Sequence, residues 1–248
     1  MKSPVDTYNL KARIFPAFLL CLPVALAATA WAPEAELPAI ALFGITGNVA
    51  ISFFVAERVR DQGKSKEPGL WNLWGGAPTT QLLRHRNQDV SPQMRKGWRQ
   101  ALEELTGTSL PTAASETKAP DKADQAYEAA LFQLREATRE VDKYPLVFKE
   151  NVSYGFRRNL WALKPTGICL AGASTLASAV KIVMANSAEW TIESHAVIAF
   201  VSCVVLLVWW LMAITKDWVR TPAFEYAKRL LGASMLLAGS LKKPAVVQ

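Results

Sequence analysis

Four apolar stretches set the terms for this chain. They run from about 14 to 32 (IFPAFLLCLPVALAATAWA), 37 to 56 (LPAIALFGITGNVAISFFVA), 166 to 185 (TGICLAGASTLASAVKIVMA) and 195 to 214 (HAVIAFVSCVVLLVWWLMAI). Each is close to the ~20 residues that a helix needs to cross ~30 Å of hydrocarbon. Inside a bilayer the backbone must satisfy its own hydrogen bonds, so segments of this length and polarity are expected to span as helices. The composition agrees: 51% of the 248 residues are hydrophobic and only 20% are charged. The first block also has features of a signal peptide, with Lys2, Lys11 and Arg13 ahead of it and Ala25 to Ala27 resembling a cleavage site. Its removal would leave three spans and spoil the charge alternation that follows. Leu20, not a small residue, precedes Cys21, which argues against a lipoprotein signal.

Charge orients the spans. Lys2, Lys11 and Arg13 precede the first block, and Arg58, Arg60, Lys64 and Lys66 follow the second. Arg157, Arg158 and Lys164 precede the third, and Lys216 and Arg220 follow the fourth. The two short connections carry Glu34, Glu36, Glu189 and Glu193 and no cation. The positive-inside rule therefore predicts both termini and residues 57–165 on the inner side. Trp31, Trp190, Trp209, Trp210 and Trp218 fall near the expected interfaces, as an aromatic belt would. The expected fold class is an all-α membrane protein, with two transmembrane hairpins flanking a helical cytoplasmic domain. Its parts are a tail and hairpin (1–56), the inner domain (57–165), the second hairpin (166–215) and an inner C-terminal helix and tail (216–248). A multi-pass topology follows from the same pattern. The net charge of +7 suits anionic partners, but basic inner loops alone also produce it.

Two blocks carry polar stripes. In the second, Ala41, Gly44, Asn48, Ser52 and Val55 recur at helical spacing on one face. In the third, Gly167, Ala171, Ser174, Ser178 and Lys181 do the same. One reading is close helix packing through small residues and hydroxyls. The other is a pore wall made of Gly44, Asn48, Ser52, Ser174, Ser178 and Lys181 in a homo-oligomer, since four helices are too few to enclose a wide path alone. Lys181 either snorkels to the outer surface or forms a cationic ring favouring anions.

The stretch from 57 to 165 reads as helical. A short helix is expected near Thr79 or Thr80 after Pro78, and another from Ser91 and Pro92 to a stop at Gly107. A longer one begins at Asp121 after Pro120, with Tyr127, Leu131, Leu134, Thr138 and Val141 on its apolar face. Residues 106–120 have loop composition. Thr221 and Pro222 look like the start of an amphipathic C-terminal helix, lying on the membrane or packing against the inner domain.

Two basic, aromatic clusters stand out as ligand-binding candidates. One contains Trp74, Arg84, His85, Arg86, Arg95, Lys96 and Arg99; the other contains Tyr154, Arg157 and Arg158. Arginines interleaved with aromatics suit phosphates and bases. The competing readings are a solvated helix face for the first and headgroup contact for the second. The three cysteines, Cys21, Cys169 and Cys203, all lie in apolar blocks and read as packing residues. No phosphate loop, dinucleotide fingerprint, zinc spacing or nucleophile elbow is present, so no catalytic residue, metal or cofactor is expected.

WGGAPTTQLLRHRN, from Trp74 to Asn87, and ENVSYGFRRNLWALKPTG, from Glu150 to Gly167, resemble patterns in the membrane effectors of Hailong-type, nucleotidyltransferase-linked antiphage defence systems. The resemblance implies an oligomeric ion channel, a tetramer, acting in antiviral defence. It also implies an oligonucleotide or nucleotide ligand, made by a partner nucleotidyltransferase and holding the channel closed. Bestrophin-type anion channels offer a looser architectural parallel without a shared signature. The alternative is a membrane-anchored scaffold, or an enzyme acting on lipid or nucleotide, that conducts no ions.

Overall fold

The computed structural model describes residues 4–187 and 193–241. Lys2, Glu189, Trp190 and the tail beyond Leu241 lie outside them. Among the described residues every regular element is helical. The elements are α1 (Pro4–Asn9), α2 (Phe15–Ala30), α3 (Leu37–Trp74), α4 (Pro78–Leu83) and α5 (Pro92–Thr106). Then follow α6 (Ala113–Lys118), α7 (Pro120–Ala137), α8 (Pro145–Ser187), α9 (Ser194–Met212) and α10 (Lys216–Leu241). A π-helical turn, Leu10–Ile14, joins α1 to α2. Four helical stretches are long and apolar enough to cross a membrane: Thr7–Ala30, Leu37–Leu83, Pro145–Ala185 and Ser194–Met212. The protein is therefore an all-helical, multi-pass membrane protein by length and composition.

The chain divides into two compact units. The first comprises residues 1–67 and 155–219, the second 68–154 and 220–248. The central segment of the second unit, 68–154, is thus shorter than the 57–165 interval between apolar blocks, and the unit also takes in most of α10. The reason is that α3 and α8 do not stop where hydrophobicity stops. Helix formers such as Glu57, Arg58, Arg60 and Lys64 carry α3 past its apolar block. Pro68 and Pro165 lie inside their helices. Near Pro165, Lys66 donates to the Ala162 carbonyl at 2.7 Å, tying α3 to α8 one turn before the proline.

In the first unit, the core joins Ala17 and Leu20 of α2, Val59 of α3, Leu160, Leu163 and Ala171 of α8, and Trp210 of α9. The outward faces of α3 and α8 carry Phe43, Ile45, Phe53, Phe54, Leu176 and Val183, with Phe54 85% exposed. Such a surface is costly in water and suited to lipid. Trp210 departs from the expected belt: it is fully buried. A Cβ on Gly167 would lie 2.5 Å from its ring, so the missing side chain makes the slot that the indole fills. Lys164 donates to the carbonyls of Leu211 (2.9 Å) and Ile214 (2.8 Å), satisfying the end of α9.

In the second unit, Leu82 and Leu83 of α4, Trp98 and Leu102 of α5, Tyr127, Leu131 and Leu134 of α7, and Leu230 and Leu231 of α10 form one core. Helix α5 has the expected ends: Ser91 Oγ accepts from Met94 N at 3.2 Å, and Gly107 is left-handed at φ 66°. Other ends differ. Pro78 and Pro120 occupy first-turn positions behind the cap residues Ala77 and Ala119. Helix α7 ends at Ala137, before Val141. The 106–120 loop contains α6, whose cap is Thr112, accepting from Ser115 N at 3.3 Å. Helix α10 starts at Lys216, not Thr221, because Thr215 Oγ1 accepts from Trp218 N at 3.1 Å and Pro222 is accommodated within the helix. Of the two places open to this helix, its apolar face takes the helical core, through Ala227, Leu230 and Leu231.

Candidate functional site

The motif WGGAPTTQLLRHRN folds back on itself. Helix α3 ends at Trp74, and the chain reverses through Gly75 (φ 89°) and Gly76 (φ 124°), conformations that glycine alone adopts without strain. Gly76 N–H donates to the Trp71 carbonyl at 2.7 Å. Arg84 reaches back to this turn: Nη1 donates to the Gly75 carbonyl at 2.6 Å. Its Nε and Nη2 engage both oxygens of Asp124 on α7, at 2.9 and 2.5 Å. A Cβ on Gly76 would lie 2.7 Å from Nη2, so the second glycine also makes room for the guanidinium. Trp74 packs its ring against Phe224, centroids 6.5 Å apart. The bidentate pair gives Arg84 a structural task, which its sequence context alone does not disclose.

His85 and Arg99 are absorbed in the same way. His85 N–H donates to Glu116 Oε2 at 2.9 Å, and its Nε2 lies 3.2 Å from the Pro111 carbonyl. Arg99 is 9% exposed. Its Nη1 donates to the Leu83 carbonyl (3.0 Å) and Tyr127 Oη (2.9 Å), and Nη2 donates to the Pro111 carbonyl. Tyr127 Oη in turn donates to Glu116 Oε2 at 2.7 Å. Burial is the largest influence on Glu116 and opposes its charge. The hydrogen bonds from Tyr127 and the His85 amide, with the His85 charge and the Arg86 amide, outweigh it and leave the carboxyl below its usual value. Burial first, and the Glu116 carboxylate second, push Tyr127 up to about 12.

What stays open in the first cluster is smaller. Arg86 and Lys96 are exposed. Arg95 is half-buried and donates from Nη1 to the Asn87 carbonyl at 2.5 Å, which holds the 86–87 turn against the first turn of α5. Arg86, Arg95 and Lys96 thus form the accessible remainder of that cluster. Tyr154 is buried and accepts from Trp71 Nε1 at 3.2 Å.

Arg157 and Arg158 belong to the other unit. Arg157 Nη1 donates to the Trp218 carbonyl at 3.0 Å, and the guanidinium lies 4.9 Å from the centre of that indole. Arg158 is buried; its Nη1 donates to Glu67 Oε1 at 2.9 Å, and Nε and Nη2 donate to Asn159 Oδ1. Asn159 Nδ2 donates to the Ala12 carbonyl at 2.6 Å.

The polar stripes lie inside the first unit. Asn48, Ser52, Ser174 and Ser178 are all buried. Asn48 Nδ2 donates to the Phe18 carbonyl of α2 at 3.4 Å, and a Cβ on Gly44 would meet Ala25 at 3.8 Å. Ser52 and Ser178 donate to the carbonyls four residues back, Asn48 (2.6 Å) and Ser174 (3.0 Å). Lys181 Nζ lies 3.7 Å from Glu193 Oε2, which is also 3.0 Å from His195 Nε2. In a single chain the stripes are packing surfaces, and the Lys181 charge has a carboxylate beside it.

Glu116, Asp124, Glu67 and Asn159 are the partners that sequence reasoning did not single out. Glu116, Asp124 and Glu67 have no periodicity or motif around them, and Asn159, although within ENVSYGFRRNLWALKPTG, has nothing that sets it apart from its neighbours there. Glu116 sits within a stretch of loop composition, and its role depends on residues that are close only after folding. Among the described residues no three His, Cys, Asp or Glu side chains are grouped to hold a metal. Comparison with protein-family models, with curated proteins and with solved structures yields no match to this chain.

Proposed function

We propose that the protein is an oligomeric ion channel of a bacterial inner membrane, controlled by an anionic nucleotide or oligonucleotide on its cytoplasmic side, as its resemblance to Hailong-type defence effectors implies. The observation that carries this reading is the hydroxyl chemistry of the stripes. Ser52 and Ser178 satisfy their hydroxyls on their own helices, four residues back. Such a serine leaves no unpaired donor whether it faces a neighbouring helix or water. Helices α3 and α8 can therefore exchange packed for wetted surroundings at low cost, and the packed arrangement is the closed state. A ligand favours that state only by its differential affinity for it.

Planar bilayers containing the full-length protein are expected to conduct, and Ser52→Leu with Ser178→Leu to reduce unitary conductance while assembly persists. Silence under all ligand conditions would overturn the channel reading. The accessible cations define the ligand test. Because Arg84, His85 and Arg99 have internal partners, the exposed pair Arg86 and Lys96 is the informative one. In Arg86→Gln with Lys96→Gln, the slope of log affinity for a short oligonucleotide against log salt should fall in magnitude by about 1.4. An unchanged slope would remove this face from the ligand site. The second reading, a membrane-anchored scaffold, draws on the burial of both stripes. It predicts partner binding by the helical unit without conduction.

A further inference from the structure

A cleft of about 500 Å³ opens within the first unit, between the chain leading into α2 and the face of α3. It is lined by Thr7, Asn9, Leu10, Arg13, Ile14, Phe53, Ala56 and Glu57. One half of this lining is apolar and the other is polar, and the division coincides with the border where apolar spans meet their first charges. The π-helical turn Leu10–Ile14 forms part of the wall. Such a turn is rare and recurs at functional sites.

A cluster of three charged side chains borders the cleft. Arg13 Nη1 donates to Glu57 Oε1 at 2.8 Å, and Arg60 Nη1 donates to Glu57 Oε2 at 3.2 Å. One carboxylate thus serves two guanidinium groups, so the cluster of Arg13, Glu57 and Arg60 carries a net positive charge, and within it only Arg13 and Glu57 line the cleft. The Nε atoms of both arginines are enclosed and have no acceptor. The guanidinium of Arg13 rests over the Tyr8 ring, 5.6 Å from its centre, which fixes it at the cleft wall. An aliphatic and aromatic strip, with Phe53 58% exposed, continues from this cationic end along α3.

We propose that the cleft is a binding site for one anionic phospholipid, its headgroup phosphate at Arg13 with Thr7 and Asn9, and an acyl chain along Ile14, Phe53 and Ala56. Basic pockets between transmembrane helices recognise anionic headgroups by this combination of fixed cation and adjoining apolar wall. In this arrangement Glu57 competes with the phosphate for Arg13. Removing that carboxylate strengthens lipid binding, whereas removing the arginine weakens it.

The test uses full-length protein in nanodiscs of phosphatidylcholine with or without phosphatidylglycerol, followed by native mass spectrometry of retained lipid. Arg13→Gln is expected to lower the preference for phosphatidylglycerol about fivefold, and Glu57→Gln to raise it by a similar factor. A purely structural ion pair would make the two variants change in the same direction, and that outcome overturns the proposal, as does equal retention of both lipids by the unaltered protein. Glu57→Gln keeps the test decisive if Arg13→Gln fails to fold. Added inorganic phosphate is the free-anion arm: it is expected to leave the lipid in place, and displacement would assign the cleft to soluble phosphate instead.

Discussion

Arg99→Met is expected to destabilise the second unit by about 3–5 kcal/mol, the range for removing one member of a buried charged network. Methionine keeps the length of the apolar stem, so the loss isolates the guanidinium. That group holds the Leu83 and Pro111 carbonyls and Tyr127 Oη together, and Tyr127 Oη holds Glu116. Without it, two carbonyls and Tyr127 Oη lose a donor, and the tyrosine that donates to Glu116 loses its own anchor. Tyr127→Phe removes one hydrogen bond to the carboxylate and leaves Arg99 paired to carbonyls, so a smaller loss of about 1.5–3 kcal/mol is expected. Thermal unfolding of the detergent-solubilised chain, followed by circular dichroism, ranks the two. A loss for Arg99→Met no larger than for Tyr127→Phe would contradict the network.

The same network has a pH signature. The Glu116 carboxyl is held below its usual value, so its contribution is full above the unfolded-state value of 4.5 and fades as pH falls through the lowered folded value. Tyr127, raised to about 12, acts in the opposite sense. Its contribution is full below 10 and is lost as pH climbs from there toward about 12. Glu116→Gln should therefore flatten the acid limb of the stability profile. An acid limb as steep as that of the unaltered protein would exclude this carboxylate as a source of it.

Gly63→Ala should strongly destabilise the first unit. A Cβ there would overlap Asn159 Oδ1, approach its Cγ at 2.9 Å and reach Arg158 Nε at 3.2 Å. Asn159 cannot simply turn away. It holds the Ala12 carbonyl through Nδ2 and two donors of Arg158 through Oδ1, while Arg158 also pairs with Glu67. Overpacking alone costs about 1–3 kcal/mol, and breaking the polar contacts adds to it. Two comparisons separate the causes. Gly172→Ala, with nothing within 4 Å of its added methyl, should be neutral or slightly stabilising. Combining Gly63→Ala with Asn159→Ala should recover part of the loss, because the overlap disappears. Additive losses in the double variant would show that the overlap is not the cause.

Much of the framework was legible from residue order. A run of some twenty apolar residues can hardly be anything but a buried or spanning helix, and the four runs give the four long apolar helices. Helix α5 was legible because Ser91, Pro92 and Gly107 act locally, through a hydroxyl, a fixed φ and a left-handed stop. Helix ends set by distant partners were not legible. Pro222 reads as a start, yet α10 begins six residues earlier at Lys216, where Thr215 supplies the cap.

The basic clusters mark the same boundary. Sequence order determined that arginines lie beside glycine turns and tryptophans, and that polar stripes run along two apolar helices, because periodicity and composition are local properties. Which of those charges remain available was decided only in three dimensions. Arg84 met Asp124 forty positions away, and Arg158 met Glu67 ninety-one positions away. Arg86 and Lys96 met no such partner among the described residues and stayed at the surface. A guanidinium is drawn to whichever carboxylate the packed helices bring within reach, and a serine is buried or wetted according to the helix beside it. Those outcomes depend on distances that only the packing of helices creates.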